Sequence, residues 1–140
     1  MAVVINQDPV ARFIKYWLPV IVYAILIFHV SATPGEEIPS LFPKQDIVAH
    51  LLEYFIFGLL INRAIKSYFP GNSFGMRFFW VSFIGIAYGA SDEFHQMFVP
   101  NRYCSSVDLL SDSLGVFIAT FVYTDMKKFF LKHIPVPHNN

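Results

Sequence analysis

Charge is what this chain has least of. Asp, Glu, Lys and Arg together make up 14% of its 140 residues, and the ten acids balance the ten bases. An ordinary soluble domain carries roughly 25%, so a normally solvated surface is excluded. A nucleic-acid partner is excluded too, because no basic stripe and no interleaved aromatic platform is present. Cysteine occurs once, at Cys104, which rules out an internal disulfide framework. No nucleophile motif surrounds that thiol, and it reads as a small loop filler. The segment MAVVINQDPVARFIKYW has no small-residue cleavage site after its first apolar run, so this run reads as a retained helix rather than a signal peptide. Repeats and low-complexity segments are absent, and only the tail IPVPHNN looks frayed.

What is abundant is apolar. Hydrophobic residues reach 55%, with 16 phenylalanines, and the mean hydropathy is positive. Together with a length suited to one domain, this predicts an integral membrane protein. A bilayer core of about 30 Å needs about 20 apolar residues in a helix. Tyr16 to Gly35 contains no Asp, Glu, Lys or Arg before the exit signal Ser31, Thr33, Pro34 and Gly35. Ile47–Asn62, Phe78–Ser91 and Ser106–Thr124 supply three more runs, each long enough only when its polar end is included. The predicted fold is an all-α bundle of four transmembrane helices, roughly 13–33, 46–66, 76–97 and 106–131, in one domain over 1–140. A soluble four-helix protein is the alternative.

Positive charge orients the bundle. Arg12, Lys15, Arg63, Lys66, Arg77, Lys127, Lys128 and Lys132 fall on one side, and only Lys44 and Arg102 on the other. The positive-inside rule then places both termini in the cytoplasm, with Trp17 and Trp80 near the inner interface. The loops 31–46 and 97–105 lie outside, so the start of helix two, the end of helix three and the start of helix four meet at the outer face.

The remaining charge gathers at that face. Asp46, His50 and Tyr54 recur at helical spacing, with Glu53 three residues after His50. Gly85, Gly89, Asp92 and Gln96 form a second stripe, flanked by Glu93, and GIAYG permits close approach of a neighbouring backbone. Asp108, Asp112, Gly115 and Ala119 form a third. Any one acid here reads equally well as a helix-end charge favoured by the macrodipole. Converging carboxylates repel one another and lose solvent, so together they call for compensation by protons, a cation or a ligand carrying donors.

Two chemistries are open. A divalent cation would take hard oxygen ligands, favouring Mg²⁺, Ca²⁺ or Mn²⁺ over zinc; His50 with Glu53, or Glu93 with His95, only loosely resemble di-metal bundle motifs, and His95 points about 200° from Glu93. Acid–base work would use His50, oriented by Asp46, with Asp92 or Glu93 as proton donor. Arg102 suits a phosphate or carboxylate, or an ion pair with Asp108. No nucleophile elbow, phosphate loop or metalloprotease motif fixes a reaction class, so enzyme and binding protein stay open.

These motifs, in this order, resemble the VanZ-like family of small membrane proteins. SATPGEEIP (Ser31 to Pro39) is similar to the family's Ser-x-x-Pro turn, and QDIVAHLLEYFIFGLL gives Asp46, His50, Glu53, Tyr54 and Gly58. SDEFHQMFVPNR matches the Asp-Glu-x-x-Gln signature with Asp92, Glu93 and Gln96, followed by Pro100 and Arg102; VDLLSDSLG matches the fourth with Asp108, Asp112 and Gly115. Two departures stand out. Asn101 replaces the glycine of a Pro-Gly-Arg turn, a position where Asn tolerates a left-handed backbone. Ile47 follows Asp46 where a lysine follows the family's Asp.

The resemblance implies a multi-pass protein of the inner (cytoplasmic) membrane of a bacterium, its namesake linked to teicoplanin resistance. Expected partners are membrane lipids and a cell-envelope lipid or glycan ligand. The expected site is His50, Asp92 and Glu93 for chemistry, with Asp46, Glu53, Tyr54, Gln96, Arg102, Asp108 and Asp112 for binding. A structural or partner-docking protein, in which the polar cluster holds helices together, is the alternative.

Overall fold

A computed structural model describes residues 8–133, with side chains up to Met126. Every regular element among them is helical: α1 (Pro9–Tyr16), α2 (Leu18–Ser31), a 3-10 turn (Gly35–Glu37), α3 (Gln45–Tyr68), α4 (Phe74–Gln96) and α5 (Ser106–His133).

The first apolar run starts earlier than expected and is not a single unbroken helix over 13–33. Asp8 caps α1, accepting from Val10 N at 3.0 Å, with Pro9 in the first turn. The regular ladder is interrupted at Trp17, whose backbone stays helical, before α2 begins. Pro19 explains the break: it has no N–H to offer the Lys15 carbonyl, and its ring crowds that oxygen. At the far end the helix stops at Ser31, ahead of Pro34.

Among the described residues, three helical stretches are long and apolar enough to cross a membrane: Pro9–Ser31, Gln45–Tyr68 and Ser106–Met126. The expected fourth, α4, has 23 residues but is not apolar enough by composition, because Arg77, Asp92 and Glu93 lie within it. Those three side chains are buried inside the bundle. Apolar side chains instead point outward, among them Val22, Ile25 and Leu26 on α2, Phe79 and Phe83 on α4, and Leu110 and Phe121 on α5. Inward polarity with outward hydrocarbon is the pattern of a chain solvated by lipid.

Lipid chains are as apolar as leucine, so helices here are held by close packing and polar ties rather than by expulsion of water. Helices α3 and α5 make the tightest pair. A Cβ on Gly115 would run into the Leu51 carbonyl and lie 2.9 Å from Phe55 N, and one on Gly58 would lie 2.8 Å from the Ala119 methyl. Tyr54, Phe57, Ile61, Ala64 and Ile65 of α3 form the core with Val20, Ile27, Val81 and Val116. Tyr88 OH donates to Ala24 O at 2.5 Å, tying α4 to α2. Between α4 and α5, the Phe78 ring packs against Phe117 and Phe121, with centroids 5.3 and 5.9 Å away. Trp17 and Trp80 flank one apolar groove of about 430 Å³, together with Ile65, Phe69 and Met76.

Candidate functional site

The two loops at the other end are stitched together. Gly35 N donates to Pro100 O at 3.1 Å, and Asn101 Nδ2 donates to Glu36 Oε1 at 2.5 Å. Asn101 takes the left-handed conformation, φ 57°, as its place in the turn predicts. Gln45 folds the first loop onto the start of α3, accepting from Leu41 N at 2.6 Å and donating to Pro39 O at 2.7 Å.

Beneath these loops the three polar stripes face one another. His50 Nδ1 lies 2.9 Å from Asp112 Oδ1. The expected pairing of His50 with Asp46 is therefore corrected: Asp46 shares the α3 face but is exposed, while the close approach of α5 brings Asp112 across to the imidazole. Asp112 is fully buried and Glu93 is 2% exposed. Glu93 Oε2 accepts from Ser105 N at 2.7 Å, and Ser105 Oγ accepts from Asp108 N at 3.2 Å, capping α5. Glu93 thus braces the turn into the next helix. Gln96 Nε2 donates to Asp92 Oδ2 at 3.3 Å.

Much remains unpartnered. Tyr54 OH, Asp92 Oδ1, Glu93 Oε1, Asp112 Oδ2 and Arg102 Nε are buried and find no hydrogen-bond partner among the described residues. Gly89 makes room for one of them, since a Cβ there would stand 3.0 Å from Asp112 Oδ2. Buried polar groups ordinarily find partners; these gather at one end of the bundle. One ligand atom each from His50, Glu93 and Asp112 lie within 4.8 Å of one another, a grouping suited to a metal ion. Glu53 and His95 stand outside that grouping. His95 stacks on Phe28, ring centroids 3.9 Å apart.

Two cavities open beside this cluster. One, of about 450 Å³, is lined largely by polar groups, including Lys44, Gln45, Ser105, Asn101 and Asp108. The other, of about 500 Å³, runs along an apolar wall of Val30, Leu41, Val48 and Leu52, and reaches Glu53 and Asp92. Asp46, His50, Gln96 and Arg102 line both. Arg102 is within electrostatic reach of Glu53, and no ion pair joins it to Asp108 among the described residues. Tyr54 lies deeper, fully buried, its ring edge-on to Phe57.

Two features went unread in the sequence. Ser31 is buried beside Asp92, though its hydroxyl makes no hydrogen bond of ordinary geometry. At the opposite end, Asn62 Nδ2 donates to Gly58 O at 2.8 Å and to Thr120 Oγ1 at 3.0 Å. Arg77 there is buried and donates to Thr124 Oγ1 at 2.6 Å. Asn62 was detectable, since Tyr54, Gly58 and Asn62 sit four residues apart on one inward stripe.

Outward-facing hydrocarbon, three helices able to span, and buried polar side chains gathered beneath stitched loops define a multi-pass helical membrane protein. The match of the VanZ/LLP1 family model over residues 13–131 shows which kind: the chain belongs to the VanZ/LLP1 family. Among curated proteins and among solved structures, none matches it.

Proposed function

We propose that the protein binds, or acts upon, a phosphate-bearing lipid of the cell envelope, either a phospholipid head group or a lipid-linked precursor. The observation that carries this reading is the meeting of a polar and an apolar cavity at Asp46, His50, Gln96 and Arg102. An amphipathic ligand needs both halves. Its chain would lie against Val30, Val48 and Leu52, and its phosphate would meet the Arg102 guanidinium, whose Nε is buried and free of hydrogen bonds. His50, Asp92 and Glu93 then supply proton transfer if a reaction follows. In this reading α4 crosses the membrane as the fourth span, its polar face turned inward. Both termini are cytoplasmic in the inner membrane of a bacterium, and the site faces outward, where glycopeptides such as teicoplanin act.

The test is lipid binding to the purified protein in nanodiscs, measured for a polyprenyl phosphate, phosphatidylglycerol and phosphatidylcholine. Arg102→Gln is expected to weaken the preferred anionic lipid about tenfold, equivalent to ~1.4 kcal/mol. Equal affinity for all three lipids, or no effect of the substitution, rejects the reading. The second reading, helix cement that positions a docking face, draws on the His50–Asp112 tie; it predicts that substitutions at the cluster lower stability while no lipid changes it.

A further inference from the structure

We propose that His50, Glu93 and Asp112 bind one divalent transition-metal ion, with Mn²⁺ and Zn²⁺ as the fitting species. The inference rests on the lipid-site reading only in saying what the ion does there, not in whether it binds. Three residues from three different helices each bring a ligand atom within 4.8 Å of the other two, and all three are buried, at 6%, 2% and 0% exposure. Proximity of acids alone would not make a site. The second observation is that Glu93 Oε1 and Asp112 Oδ2 are both buried with no hydrogen-bond partner.

Charge and geometry favour an ion over protons. Two carboxylates and a neutral imidazole carry a charge of −2, which one divalent ion cancels within the cluster. A proton shared between the two free oxygens would pair them but cancel only one of the two charges, whereas a divalent ion cancels both and engages both oxygens. Mixed oxygen and imidazole ligands suit Mn²⁺ or Zn²⁺ better than Ca²⁺ or Mg²⁺, which prefer oxygen alone. Three protein ligands also leave a coordination position open, as in catalytic rather than structural zinc sites. Of the three, His50 alone lines the two cavities, so water or a lipid phosphate reaching the ion would approach past the imidazole.

Full-length protein in nanodiscs, stripped with a chelator, is titrated with Mn²⁺, Zn²⁺, Mg²⁺ or Ca²⁺ alone, with no added lipid ligand. The expected result is one Mn²⁺ or Zn²⁺ retained per chain after desalting, measured by elemental analysis, with a raised thermal midpoint. Glu93→Gln and Asp112→Asn are expected to weaken binding by about 10–100-fold or more, and His95→Gln to leave it unchanged. Should either variant fail to fold, the wild type still decides the matter: bound Mn²⁺ must show ¹⁴N coupling from one imidazole in its pulsed EPR spectrum. No retained ion, no nitrogen coupling, or wild-type affinity in both folded variants overturns the proposal. Loss of the ion with the lipid preference and its Arg102 dependence intact rejects this inference alone; ion binding without lipid preference rejects the lipid reading alone.

Discussion

The bundle buries polar side chains at both ends, and the two ends use them differently. At the end holding the α3–α4 connection, the groups are largely consumed by the helices and rings around them. Asn62 bonds to its own helix and to Thr120, Thr120 and Thr124 donate to carbonyls one turn back, and Arg77 lies against the Phe74 and Tyr123 rings, each 5.8 Å away. Arg12 donates to the Ser67 carbonyl and covers the Tyr68 ring, while Arg63 covers Tyr16. Asn62 Oδ1 and Arg77 Nε are left over, and neither side chain lines a cavity described above. At the end holding the α4–α5 connection, acidic oxygens, a phenol and a guanidinium nitrogen are left over together, next to open space. The first pattern is what helix association in lipid requires. The second costs stability, a cost that the proposed ligand would offset.

The contrast can be broken experimentally. Asp112→Ala strips the buried imidazole of its partner, and the expected loss is about 3 kcal/mol, seen as a thermal midpoint roughly 10 °C lower in detergent. A shift of under roughly 2 °C would mean that the His50–Asp112 tie bears little weight. Gly115→Ala tests the packing between the two ends: forcing a Cβ into the Leu51 carbonyl should cost about 2 kcal/mol. Wild-type stability there would show that α3 and α5 part easily.

Arg77→Gln sharpens the contrast from the quiet end. Exchanging a charge-assisted hydrogen bond for at best a neutral one, and losing two ring contacts, should cost about 1.5 kcal/mol, with lipid affinity at the far site unchanged. Altered lipid selectivity in that variant would unite the two ends functionally. The smallest effect belongs to Asp46→Asn, whose side chain is exposed. Stability should stay within about 0.5 kcal/mol, and a phosphate-bearing lipid should bind roughly twofold more tightly once the rim carboxylate is neutral. Weaker binding would place Asp46 among the ligand's attractive contacts.

Helical spacing was enough to put Asp46, His50 and Tyr54 on one face, Asp92 and Gln96 on another, and Asp108 and Asp112 on a third. The left-handed turn at Asn101 was equally readable, because few residues tolerate that backbone. Which side chains touch was not readable. An i, i+4 interval says that Asp46 and His50 share a face, but the partner of His50 was decided by how closely α5 approaches α3. That distance depends on Gly115 and Gly58 meeting backbone and methyl groups far away in sequence. Arg77 was counted only as a charge on the cytoplasmic side, because the positive-inside rule counts cations without asking which way they turn. Whether α4 spans is likewise a matter of burial: hydropathy averages over a helix, whereas burial sorts its polar face from its apolar one.

The Gly35–Pro100 and Asn101–Glu36 bonds put a roof over the end of the bundle, while the wall formed by Val30, Leu41, Val48 and Leu52 lies at the flank and is itself exposed. On the proposed lipid reading, traffic to such a chamber would run sideways: a molecule already floating in one leaflet would reach the doorway by two-dimensional diffusion, its tail never leaving oil. The doorway would then sort visitors by whether they carry a tail at all, before any chemistry of the head is consulted.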